Sequence, residues 1–140
     1  YAKNNEEFYK FAKCIVLTML SALVIFIFFQ TSVSRPIIVG DDVFSNMIRN
    51  IYANDRPVNC CPSLHVALAL ICSIWVCRVS ENKILKSTVI IVGYLIILST
   101  LFIKQHVIMD VVVAFVQVLI LRNIVDRNSY IEYEEALKIR

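Results

Sequence analysis

Ser87-Thr88-Val89-Ile90-Ile91-Val92-Gly93-Tyr94-Leu95-Ile96-Ile97-Leu98-Ser99-Thr100-Leu101-Phe102-Ile103 carries no charge from end to end. A buried helix of a soluble bundle keeps a polar face, and Val89 to Leu98 has none. Lipid is the solvent that such a stretch fits. Three further apolar stretches resemble it, and together they predict spans near residues 11–29, 62–79, 85–103 and 106–124, with a polar loop over 30–61. They are slightly short of the roughly 20 residues a spanning helix needs, which flanking Lys and Arg offset by snorkelling.

Composition points the same way. The 140 residues are 59% hydrophobic and 18% charged, against about 45–50% and about 25% in an ordinary soluble domain. Mean hydropathy is +0.71. Disorder, collagen-like repeats and a disulfide scaffold are excluded by the same values. The expected fold is all-α, a polytopic membrane helical bundle with four transmembrane helices.

Lys and Arg set its orientation. Lys3, Lys10, Lys13, Arg78, Lys83, Lys86, Arg122, Arg127, Lys138 and Arg140 fall on one side, and Arg35, Arg49, Arg56 and Lys104 on the other. The positive-inside rule places the larger set, with both termini, in the cytoplasm. The net charge of +3 then reads as topology, with no nucleic-acid partner. The opening on Tyr1 in place of Met reads as a fragment or a processed product.

In the loop, Asp41 or Asp42 is placed to cap a short helix with Val43, Phe44, Met47, Ile48, Ile51 and Tyr52 on one face. Such a helix lies flat in the interface, as an anchor or as the wall of a lipid-access groove. Five cysteines show no C-x-x-C spacing, so no zinc site is expected and Cys60 and Cys61 read as free thiols.

Ionisable residues inside spans are costly and mark function by default. Here they are His65, His106 and Asp110. Ser63 is the expected cap of the helix after Pro62, and His106 and Asp110 form an i, i+4 pair opening the last span. Topology brings both histidines, Asp110, Arg35 and Lys104 to one membrane face. Two imidazoles, a carboxylate and cations at one depth suit phosphoryl transfer. One imidazole attacks phosphorus, the carboxylate fixes its tautomer, and the other imidazole donates a proton to the leaving oxygen.

Pro62-Ser63-Leu64-His65 resembles the P-S-x-H motif of the type 2 phosphatidic acid phosphatase (lipid phosphate phosphatase) superfamily. Ser99 to Asp110 resembles its S-R-x5-H-x3-D motif, with the spacing intact, and Arg35-Pro36 resembles the end of K-x6-R-P. The wording of Tyr52–His65 and Leu98–Asp110 is most similar to the integral-membrane branch that includes inositol phosphorylceramide synthases. The resemblance covers roughly residues 30–115 and implies a six-helix fold, of which this chain would lack the first two. It implies His106 as the nucleophile that becomes a phosphohistidine, Asp110 as its orienter and His65 as the acid. It implies phosphate contacts from Arg35, Ser63 and Ser99. Thr100 stands where the motif has arginine, with Lys104 as the nearest replacement cation, and Phe28 stands where it has lysine. Arg49 with Arg56-Pro57 offers a second fit to the first motif.

The expected activity is therefore hydrolysis of a phospholipid or isoprenoid phosphate in the bilayer. No metal and no cofactor take part, and the site faces outward, or to a lumen, from the plasma membrane. Transfer of the phosphoryl group to an alcohol is the alternative. A haem held by His65 and His106 and a catalytically inactive interaction module are the readings from other classes.

Overall fold

A computed structural model describes residues 2–138, with side chains over 5–131. It is all-helical, in the order α1 (Ala2–Phe28), α2 (Val43–Asn54), α3 (Leu64–Val79), α4 (Lys83–Phe102) and α5 (Ile108–Lys138). Among the described residues, three segments are long and apolar enough to cross a membrane: Asn5–Phe28, Lys83–Phe102 and Ile108–Ile131. The fourth expected span forms as a helix, but α3 has only 16 residues. At about 1.5 Å per residue it covers about 24 Å, short of a hydrocarbon core of about 30 Å.

That short helix is the hub. α3 packs against α1, α4 and α5, and Val66, Ala67, Ile71 and Trp75 join Cys14, Ala114, Val118 and Val125 in the core. Small residues let the helices approach closely, as expected where lipid supplies no hydrophobic drive between them. Gly93 shows this directly. A Cβ there would lie 2.8 Å from Ser73 Oγ, which bonds the Ala69 carbonyl of its own helix at 2.8 Å and the Val89 carbonyl of α4 at 3.2 Å. Outward positions carry the large apolar side chains, among them Leu23, Ile27, Ile90, Ile91, Leu95 and Val116. That surface needs lipid.

The two ends differ. At one, Arg78 of α3 makes paired 2.8 Å bonds to Asp126 of α5 and reaches Glu7 of α1 at 3.3 Å, tying three helices together. At the other, the polar loop folds back over the helix ends. α2 forms as expected, with Asp42 as its cap accepting the Phe44 and Ser45 N–H groups at 2.9 and 3.1 Å. The Ser45 hydroxyl and these N–H groups hold the Asp42 carboxyl below its usual range. Tyr52 of α2 donates to the Ile103 carbonyl at 2.6 Å, and the Cys61 N–H donates to Thr31 Oγ1 at 2.8 Å. The loop is strapped at both ends.

Candidate functional site

The turn between α4 and α5 builds the site. Lys104 N–H donates to the Leu101 carbonyl at 3.2 Å and Gln105 N–H to the Thr100 carbonyl at 3.0 Å. This is a Schellman closure, with Lys104 at the left-handed position (φ 55°) that glycine usually occupies. The Thr100 carbonyl also accepts His106 N–H at 3.2 Å, so the end of α4 fixes the backbone of both Gln105 and His106.

Residue 106 is not helical. α5 starts at Ile108, so the expected pairing along one helix face gives way to a pairing across a helix start. Val107 caps α5, its carbonyl accepting Asp110 N–H at 3.0 Å. Asp110 reaches back to accept Val107 N–H at 3.0 Å, half of a capping box. The same oxygen lies 3.3 Å from His106 Nδ1. The positive end of α5 favours the carboxylate there.

Asp110 is 4% exposed and His106 8%. An ionised carboxylate only accepts, so Nδ1 of His106 carries the proton and Nε2 is left bare. That Nε2 faces His65 Nδ1 at 3.4 Å. Burial holds the His106 imidazole below its ordinary pKa, against the opposing pull of Asp110 and with some help from His65. The neutral, nucleophilic form is thus favoured. His65 is exposed, in the first turn of α3, where Ser63 Oγ accepts Val66 N–H at 3.4 Å as the cap.

Both histidines line a cleft of about 140 Å³ with Phe26, Arg35, Asp55, Arg56 and Gln105. A larger, apolar hollow of about 360 Å³, lined by Phe8, Phe11, Cys72 and Trp75, lies at the opposite end and holds none of these groups. Arg35 therefore shares the cleft with the histidines. Arg49, which would stand for the motif lysine in the second fit, instead bonds the Ile38 carbonyl, Asn46 and Asp41, while Arg35 and Arg56 both line the cleft. Ser63 is buried as a helix cap. Ser99 and Thr100 return their hydroxyls to the Ile96 and Ile97 carbonyls, each at 2.8 Å, and neither they nor Lys104 lines the cleft.

Asp55 and Gln105 escaped the sequence reading, whereas Arg56 was named there in the second fit to the first motif and lines the cleft. Asp55 and Gln105 are joined across 50 positions, and no local pattern encodes that contact. Among the described residues no group of three or more His, Cys, Asp or Glu is placed to hold a metal ion, and all five cysteines are free.

The family model described as the PAP2 superfamily matches residues 1–123. No curated protein and no solved structure gives a significant match.

Proposed function

The chain belongs to the PAP2 superfamily, whose members are phosphatase-type enzymes, and its three long apolar helices make it an integral membrane protein. From that premise we propose that it hydrolyses a lipid phosphate, a phosphomonoester or a diphosphate, through a phosphohistidine. The observation that carries this reading is the chain of contacts Asp110–His106–His65, opening into a cleft beside Arg35.

Nε2 of His106 attacks phosphorus, and the bond from phosphorus to the leaving oxygen breaks. Protonated His65 gives its proton to that oxygen, releasing the lipid alcohol, or the lipid monophosphate from a diphosphate. Asp110 keeps Nδ1 protonated, so the attacking lone pair stays on Nε2, and stabilises the positive charge that the ring acquires. Neutral His65 then takes a proton from water as the water oxygen attacks phosphorus. The P–N bond breaks, phosphate leaves and His65 ends protonated as it began. Arg35 stabilises charge on the phosphoryl oxygens.

Arg35, Arg56 and Gln105, which line the cleft with the histidines, favour an anionic ligand over a haem. We assign the site to the outer or lumenal side of the membrane because the smaller set of Lys and Arg lies at its end of the bundle.

The test is turnover of short-chain phosphatidic acid and of an isoprenoid diphosphate in detergent, with EDTA present. Phosphate release that survives the chelator and is lost in His106→Ala is expected. A requirement for a divalent cation, or full activity in His106→Ala, contradicts the mechanism.

A further inference from the structure

Asp55 and Gln105 line the cleft without a part in the reaction above. Asp55 closes α2 as its C-terminal cap. Its Oδ2 accepts Arg35 Nη2 at 2.8 Å and Gln105 Nε2 at 2.9 Å, and its main-chain carbonyl accepts Arg35 Nη1. The guanidinium lies over the Tyr52 ring, 4.6 Å from its centroid. The Arg35 side chain is 8% exposed, and that of Asp55 is 42% exposed. Arg35 Nε is buried with no partner among the described residues.

A cation buried this far needs an anion to offset its lost hydration. Asp55 supplies it here, yet leaves the Nε donor unmet. A guanidinium and a side-chain amide aimed at one oxygen form a fork for the oxygens of a tetrahedral anion. The Asp55 carboxylate is nearly half exposed at the end of a helix, so it can turn into water. Arg35 and Gln105 are held in place by the Tyr52 ring and the Schellman turn.

Building on the lipid phosphatase reading, we propose that Asp55 Oδ2 holds the place of a phosphoryl oxygen until phosphate binds. An arriving phosphate displaces it and takes over the hydrogen bonds of Arg35 and Gln105. Gln105 is thereby a phosphate ligand, and Asp55 is an internal competitor that sets how tightly the cleft holds phosphate. Two anions do not share the fork, because like charges at that distance disfavour each other.

The probe is inorganic phosphate, read by thermal shift of the full chain in detergent at fixed pH and ionic strength. Asp55→Asn keeps the shape and removes the charge. Its half-saturating phosphate concentration is expected to fall about threefold to tenfold, and that of Gln105→Leu to rise by a similar factor. In the double variant most of the gain from Asp55→Asn is expected to disappear. Unchanged or weaker binding in Asp55→Asn overturns the proposal. So does a gain that persists in full without Gln105, since that is a field effect and no displacement. If Asp55→Asn gives no cooperative melt, Asp55→Ser is measured with the same expectations. The readout needs no turnover, so it separates the two readings. The phosphate pattern without any lipid phosphate hydrolysis removes the enzyme reading alone, and hydrolysis without the pattern removes the displacement alone.

Discussion

Nδ1 of His106 lies 3.3 Å from Oδ2 of Asp110, across the start of α5 and not along it. The carboxylate has two duties, the histidine and the Val107 N–H, and substitutions separate them.

Asp110→Asn keeps an oxygen able to accept from Val107, so the melting temperature is expected to change little. Its amide cannot act as the anion, and kcat is expected to drop by about 10²-fold or more. Asp110→Ala also removes the cap and is expected to cost about 1 kcal/mol of stability. Equal kcat in Asp110→Asn and the parent would show that the carboxylate only caps the helix.

The pH profile follows from the lowered pKa of His106, caused first by burial. A lowered pKa means the neutral nucleophile persists to more acid pH than in free imidazole, whose value is about 6.5. The acid limb of kcat/KM is therefore expected to reach its midpoint below 6.5. The sign for stability is the same, because the unfolded chain binds this proton more readily. This contribution is complete above about pH 6.5 and is lost as pH falls towards the folded value. A first-turnover profile against pH checks the first point, and an acid limb centred above 6.5 contradicts it.

Lys104 tests whether that position carries charge or geometry. Its φ of 55° suits glycine, so Lys104→Gly is expected to melt at or above the parent temperature with KM unchanged. Lys104→Val, β-branched in a left-handed conformation, is expected to lose about 1 kcal/mol or more. A KM raised tenfold in Lys104→Gly would assign the ammonium to phosphate binding.

At the far end, Arg78 makes two parallel bonds to Asp126. Arg78→Lys cannot reproduce that fork and is expected to cost about 1 kcal/mol, discounted for partial exposure. kcat is expected to stay at the parent value, since the network is remote from the histidines. A fall in kcat without a fall in melting temperature would link the two ends.

Hydropathy located the long apolar helices, because an apolar stretch in lipid has few structures open to it, and a cap with amphipathic spacing located α2. Ionisable positions inside apolar stretches located His65, His106 and Asp110, and the structure places His106 3.4 Å from His65 and 3.3 Å from Asp110. Other features were illegible. The end of α3 at Val79 depends on Ser80 as its cap, which the apolar pattern does not mark. The i, i+4 pairing of His106 with Asp110 was read as helical because spacing cannot show that Lys104 breaks the chain direction two residues earlier.

By itself, then, the order of residues determined that this chain lives in lipid, is helical, and carries two imidazoles and a carboxylate at one end. Those are properties of local composition and of short, fixed spacings. Only the tertiary structure decided what stands beside them. Asp55 meets Gln105 and Arg35 because the end of α2 is folded against the α4–α5 turn by Tyr52. Such contacts join residues far apart in the chain, and their energy exists only once the helices have packed.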